Sequence, residues 1–412
     1  MLRRDLFLKI GSALRTGSSG IASLLLGVQR LATAGEESKL EADYAAFVQE
    51  IDRTYPFFDL KGIRADWEAT KKRLGERVKD CRSDEEFLGI VIDAMKCLRD
   101  SHIGFAKLNT KLPPGPTEYY AGLSFLPATE GRVVIMSASE GLPAELKIGI
   151  VVTEIDGNNA RYFLEERARA AWASGGFFSS PQRARLFEYR LPFRGPRGER
   201  HKITFDANGS NQEVTMTSEI EARGWPHTYN LPSNLVRFGN SCWYAKLQSQ
   251  VAYVYLRRVD NDTKSGIAKA LSECPNAKGS IIDLRGNGGG GYGSSLLDLL
   301  KKMPRPVAVL IDAGCTSAGE TFARDLVHMT GAHLFGSTTA GSSSAKRLWT
   351  FPSGIATVSL PVRSRWRLDG KPIEFNGIEP DEKVESVPEE VQRRLNTEIL
   401  RAEEYLSKTT KE

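Results

Sequence analysis

From Leu40 to Leu98 apolar positions recur at the three-and-four spacing of amphipathic helices. The clearest run follows Ser83: Phe87, Leu88, Val91, Ile92, Met95 and Leu98 fall on one broad face, and Ser83 with Glu86 has the signature of a capping box. The helical period stops at LRDSHIGF, where a strand-like segment begins. From about Glu118 to Ser218 the pattern is that of strands, in GLSF, RVVIM, IVVTEI, HKITF and EVTMT. The apolar run ending in Asp156-Gly157 predicts a hairpin turn. The stretch from about Arg167 to Arg194 fits neither neighbour and reads as an insertion. From about Asn240 onward strands and helices alternate: VAYVYL, TKSGIAKALSE, the strand into GSIIDLRGNGGGG, SSLLDLLKKM, VAVLIDA and SAGETFARDLVHM. That alternation predicts an α/β unit with its loops at strand ends, where sites sit. The last run, VPEEVQRRLNTEILRAEEYLSK, predicts a charged, solvated closing helix.

At 412 residues the chain can hold two or three domains. A 41% hydrophobic and 26% charged composition is that of an ordinary globular protein. The net charge of +5 is spread along the chain without a basic block interleaved with aromatics, so nucleic acid is not implied. Arg3 and Arg4 start the chain, an apolar stretch from Ile21 to Val28 follows, and Ala32-Thr33-Ala34 offers a cleavage site. RRDLFLK resembles a twin-arginine export signal, which implies a bacterial protein exported to the periplasm and cut near Ala34. The competing reading is an N-terminal helix touching a membrane, and the apolar stretch is too short for a permanent span. Five cysteines without a CxxC pair give no zinc or redox motif. No metal or organic cofactor is expected.

Two segments could carry chemistry. In IIDLRGNGGGG a buried strand runs into Arg285, Gly286, Asn287 and four glycines. Without GK[ST] this is not a phosphate loop, and an oxyanion hole is the other use of such aimed N–H groups. In IDAGCTSAGE, Ser317 stands among small residues with Glu320 three positions on. That is also a capping-box spacing, so the residues alone leave open a helix cap or a nucleophile. A nucleophilic serine needs a base. Of the five histidines, His328 lies too far along the helix that Ser317 would begin, and His102 sits at a helix-to-strand junction.

The order DLRGNGGG, TSAGE, GSTTAG and NGIEPD resembles the C-terminal processing peptidases, or tail-specific proteases. The resemblance covers nearly the whole mature chain. It implies an α/β, multi-domain fold with a crotonase-like core, an inserted PDZ-like β domain and an N-terminal helical segment. The expected boundaries are export signal 1–34, helical segment 35–115, PDZ-like domain 116–218 with an insertion at about 167–194, core 219–388 and closing helix 389–412. The PDZ resemblance rests on GLSF as a carboxylate-binding loop, Gly122, Leu123, Ser124 and Phe125, followed by IGIVVTEIDG. Bacterial processing proteases carry a lysine after the serine in a Gly-Lys-Gly context. Here Ser342 stands at that place, and the nearest lysine, Lys346, is displaced by four residues. LRDSHIG and YPFFDLKGI instead look like the branch that includes the tricorn protease core and the interphotoreceptor retinoid-binding protein. Carried over from that branch, Ser317 is the nucleophile, His102 the base, Ser101 its hydrogen-bonding neighbour and Glu374 the group that orients Ser101. The oxyanion hole would use the N–H groups of Gly288, or Gly289, and Ala318.

The resulting expectation is an exported serine endopeptidase of the tail-specific type, acting on polypeptides with a free C-terminus. Its rivals are a non-catalytic binding protein on the same scaffold, a Ser–Lys peptidase using Lys346, and an acyl-thioester enzyme. Physiological substrate and oligomeric state are not legible in the residues.

Overall fold

The computed structural model describes residues 39–207, 209–222, 229–363 and 366–409; the N-terminal export-signal segment lies outside them. Four helices, 39–54, Phe58–Lys61, Arg64–Lys79 and Asp84–Cys97, open the described chain. At the start of the last, Ser83 Oγ accepts the Glu86 N–H at 3.2 Å, while the Glu86 carboxylate reaches Arg82 N–H at 2.9 Å instead of closing the box on Ser83. The apolar faces of these helices converge on Phe351, Ile355, Ala356, Val358 and Leu360 from the far end of the chain. Strand Gly104–Leu108 pairs antiparallel with Ala356–Arg363, which pairs in turn with Ala345–Thr350. Helical segment and C-terminal half therefore share one apolar core, and His102, two residues before strand Gly104–Leu108, is fixed to that packing.

The second layer is the sheet Leu123–Pro127, Val133–Ala138, Val151–Ile155, Arg200–Ala207 and Ser210–Thr217, in that order. Its hairpin at Asp156-Gly157 is real, with both residues at positive φ (51° and 75°), and pairs Ile155 with Asn158. Leu123 and Phe125 point into this module's core, and the Ser124 and Ser137 hydroxyls pair. The stretch that broke the strand pattern is helical, Ala160–Ala173 and Pro181–Arg190, with Asn159 and Ser180 as side-chain caps.

The third layer is a seven-stranded sheet ordered Val236–Phe238, Cys242–Lys246, Ala252–Leu256, Ser280–Asp283, Val307–Ile311, His333–Gly336, Glu382–Lys383. The pairs from Ala252–Leu256 onward are parallel. Strands Ala252–Leu256, Ser280–Asp283 and Val307–Ile311 are buried along their length, as continuous apolar runs require when both faces are covered. The carboxyl ends of Ser280–Asp283 and Val307–Ile311 lie side by side, Asp283 opposite Leu310, so the glycine loop and the turn to Ser317 leave the sheet together. The closing run is not one solvated helix. It breaks between Pro388–Gln392 and Thr397–Thr409, with Arg394 at φ 62°, and Ile399, Ala402 and Leu406 bury against Tyr253, Leu310 and Phe335 of the sheet.

Candidate active site

The glycine loop is tied to the turn beside it through two buried side chains. Asn287 donates from Nδ2 to Leu256 O (2.7 Å) and accepts the Gly289 N–H on Oδ1 (2.9 Å), while its carbonyl accepts the Thr316 N–H at 2.9 Å. Asp312 Oδ1 accepts from Gly286 N–H at 2.8 Å and Gly314 N–H at 2.9 Å. At Gly289 (φ +81°) a Cβ would stand 2.8 Å from Ser317 Cβ, so only glycine lets the loop come this close to the serine. The Gly288 N–H, expected in the oxyanion hole, donates to Arg257 O at 2.9 Å, and that of Gly289 is spent on Asn287. Among the described residues the N–H groups of Ala318 and Gly290 have no hydrogen-bond partner. Both residues line a cavity of about 480 Å³ that Ser317 also faces, walled by Tyr292, Leu297 and Trp366.

Ser317 adopts φ 54°, ψ −120° at the start of helix Ala318–Thr330. An ordinary N-cap is extended, and a non-glycine residue held at this φ stores on the order of 1–3 kcal/mol of strain. The same sharp strand-to-helix turn presents nucleophiles in other hydrolases. Its hydroxyl makes no capping hydrogen bond of ordinary geometry to the helix. The acid half of a capping box is present: Ser317 N–H reaches Glu320 Oε2 at 3.2 Å, alongside its 2.7 Å bond to Ser342 O. Glu320 is fully buried and gathers more: Thr339 Oγ1 (2.6 Å) and Gly341 N–H (2.7 Å) on one oxygen, Ser342 N–H (2.8 Å) and Ser343 Oγ (2.7 Å) on the other.

The segment 341–343 is where the second half of the site arrives. Ser342 Oγ lies 3.3 Å from His102 Nδ1 and in hydrogen-bond contact with Ser101 Oγ, which also meets Ser179 Oγ at 3.1 Å. Ser342 thus touches His102 through its side chain and Ser317 through its carbonyl. Asp100 Oδ1 accepts the backbone N–H of His102 at 2.8 Å. Burial lowers the His102 pKa, Asp100 opposes the shift, and the cations Lys346 and Lys61 add to it. The imidazole is therefore neutral at pH 7, the form a general base needs. Because the pKa is lowered, that form survives further into acid than in free histidine. The acid limb of kcat/KM is expected below the ordinary value of about 6.5. Lys346 is exposed on strand Ala345–Thr350. Lys346→Ala should keep activity and move the acid limb upward, read from a pH–rate profile; loss of activity would make Lys346 the base.

Glu374, expected to orient Ser101, instead accepts the Ser343 N–H on Oε2 at 2.8 Å and places Oε1 3.2 Å from Lys61 Nζ. Burial, reinforced by Asp100, pushes its pKa up to about 8 against the pull of Lys61. Ser179, Asp100 and the contacts of Ser342 were not singled out in the sequence. The available signals were the acid two residues before His102 and the serine run 342–344. Cys315, two residues before Ser317, is buried, and burial pushes its thiol well up, which leaves it unreactive. No described helix is long and apolar enough to cross a membrane.

Comparison with known proteins bears on the same residues. The model of peptidase family S41 matches residues 250–303 and 294–384. The carboxy-terminal processing protease CtpA of Bacillus subtilis (strain 168) is 30% identical over 140 residues, 27% of this chain and 30% of that protein. The chain thus spans under a third of that relative's length in the match. Among solved structures, mature CPAF complexed with lactacystin aligns at a TM-score of 0.58 and 15% identity, over 91% of this chain and 98% of that one. Mature CPAF alone aligns at 0.58 and 14%, over 91% and 97%. At such identity the likeness is one of fold, and it extends over helical segment, middle module and core alike. The core of the chain, residues 250–384, which holds Ser317, Ser342 and Glu374, is the part that matches the peptidase family S41 model.

Proposed function

We propose that the chain is a serine endopeptidase of the C-terminal processing type, exported by its twin-arginine-like N-terminus, with Ser317 as nucleophile and His102 as general base. The observation that carries this reading is Ser342, whose carbonyl takes the Ser317 N–H and whose hydroxyl meets His102 Nδ1. His102 removes the Ser317 proton as Oγ attacks the peptide carbonyl. The oxyanion is held by the N–H groups of Ala318 and Gly290, which line the same cavity as the serine. His102 returns the proton to the leaving amine, and water then hydrolyses the acyl-enzyme by the same path in reverse. The start of helix Ala318–Thr330 adds a favourable dipole for the developing charge. In this reading Ser342 has the hydrogen-bonding place beside His102 that the family resemblance gave to Ser101.

The substrate is a polypeptide, captured through its C-terminus. Leu123–Pro127 is the edge strand of the middle sheet, and a groove of about 520 Å³ runs beside it, lined by Phe125, Leu126, Arg185, Leu186 and Tyr189. A peptide adding to that edge after the Gly122–Phe125 loop is the PDZ-like mode. The far end of the edge is already taken by the core, since Thr129 N–H donates to Ser386 O at 3.0 Å. The groove therefore has a closed end against the peptidase domain.

Fluorophosphonate labelling of the purified mature protein tests the reading. Wild type should label, and Ser317→Ala and His102→Ala should not. Labelling that persists in Ser317→Ala, or an unlabelled wild type that binds peptides without cutting them, would put a binding protein in its place.

A further inference from the structure

The most deeply buried cation near the site has no part in the chemistry above. Lys61 closes the short helix Phe58–Lys61, within the YPFFDLKGI motif, and its side chain is fully shielded from solvent. Its ammonium is surrounded by four oxygens: Arg99 O at 2.9 Å, Tyr55 OH and Asp100 Oδ2 at 3.0 Å, and Glu374 Oε1 at 3.2 Å. Three hydrogen bonds exhaust an ammonium. They go to Arg99, Tyr55 and Asp100, and Glu374 Oε1 has no hydrogen bond of its own among the described residues. Glu374 Oε1 stands as a fourth oxygen at 3.2 Å, outside those three bonds. Asp100 and Glu374 are themselves fully buried, so each would be costly without a cation nearby.

Each carboxylate uses its other oxygen on one half of the site. Asp100 Oδ1 holds the backbone N–H of His102, and Glu374 Oε2 holds that of Ser343, next to the residue that bridges nucleophile and base. We propose that Lys61 is a positioning residue: one buried ammonium binds the two carboxylates that fix His102 and the 342–343 segment, and so sets the distance between base and nucleophile. Lys61 touches neither Ser317 nor the His102 ring in this arrangement. It works through three segments, around residues 61, 100 and 374, that only the folded chain brings together. A point-like ammonium suits four oxygens converging from different directions, which the planar fork of arginine does not. The charged groups acting on the His102 ring are Asp100, Lys346 and Lys61. Tyr55 and Glu374 complete the cluster around the ammonium, and burial holds the Tyr55 phenol neutral with a pKa well above its usual value.

This inference rests on the Ser317–His102 reading, and its test separates the two. Lys61→Met, Lys61→Arg and the double variant Lys61→Met/Glu374→Gln are made in the full mature chain. The His102 imidazole titration is followed by NMR with labelled histidine, and kcat and KM are measured on a fluorogenic peptide. Expected for Lys61→Met is an upward move of the His102 pKa, because a nearby cation is gone. A fall in kcat of about 10²-fold with KM nearly unchanged should accompany it, the usual cost of misplacing a catalytic group by about 1 Å. Lys61→Arg should lose kcat with little change in the titration, which separates geometry from charge. If Lys61→Met does not fold, the double variant removes one of the two stranded carboxylates, leaving Asp100 to the Tyr55 hydroxyl, and is expected to fold, with the same raised titration and lowered kcat. An unmoved titration with kcat within about twofold of wild type, or failure of both Met variants to fold, would reduce Lys61 to a structural tie. The titration does not depend on catalysis, so an active Ser317→Ala protein would overturn the peptidase reading alone.

Discussion

Ser317→Ala and His102→Ala should each lower kcat/KM on a cleaved peptide by about 10⁴–10⁶-fold, and the double variant should be no slower than the worse single one. In the proposed mechanism serine and imidazole act as one unit: without the base the hydroxyl is a poor nucleophile, and without the hydroxyl the base has no proton to take. What remains in either variant is the pull of the Ala318 and Gly290 N–H groups on the carbonyl, worth about 10³–10⁴-fold over water in sites of this kind. Both substitutions are expected to fold. Ser317 is half-exposed at a strained turn, and His102 contributes one long 3.3 Å contact through its ring. Replacing Ser317 with alanine keeps the strained φ, so unfolding midpoints should stay close to wild type. The measurement is steady-state kinetics of the two single variants and the double. Multiplying losses would mean that serine and histidine act in separate steps, and the pair would have to be abandoned.

How far the residues alone led depends on how local each feature is. The three-layer architecture could be read because each layer has its own hydrophobic period: helical to Leu98, strand-like to Ser218, alternating thereafter. The turn at Ser317 and the loop at 285–291 could be read for the same reason, as each is one short segment with distinctive small residues. His102 could not be reached from the residues themselves, since 215 positions (317 minus 102) separate it from Ser317 and only the family pattern joined them. The oxyanion donor is not legible inside a run of four glycines, because sequence carries no register there; in the structure the Gly288 N–H bonds to Arg257 and that of Gly289 to Asn287. Glu374 was identified as a residue but not by its partner. Phe375 beside it takes φ 69°, and the aim of the carboxylate follows from a buried lysine more than 300 positions away. Ser342 was noticed only as the place where a lysine was missing. The closing helix looked solvated because its charges dominate the pattern, yet Ile399, Ala402 and Leu406 form a narrow stripe sufficient to bury it.

Glu320 is expected to be the most costly side chain of the site to replace for stability, although it takes no part in the reaction. Glu320→Ala should lower the stability of the α/β core by about 3–5 kcal/mol, because several buried donors lose their acceptor and each costs about 1–3 kcal/mol unpaired. Five donors end on this carboxylate, from Ser317, Thr339, Gly341, Ser342 and Ser343, and together they tie the start of the nucleophile helix to the segment that carries Ser342. Glu320→Gln should be nearly as damaging, although it is the usual conservative choice. Whichever way the carboxamide is turned, its NH₂ replaces an oxygen that accepts at least two donors, so donor faces donor in a fully buried site. Thermal and denaturant unfolding of both variants checks this, with limited proteolysis of segment 339–343 to locate the loss. A Gln variant as stable as wild type would mean that the carboxyl is protonated in the native protein and already donates one of these bonds. The capping-box spacing that made Ser317 look like an ordinary helix start would then belong to a neutral acid, and the 341–343 segment would have to be held by Glu374 and the cluster around Lys61.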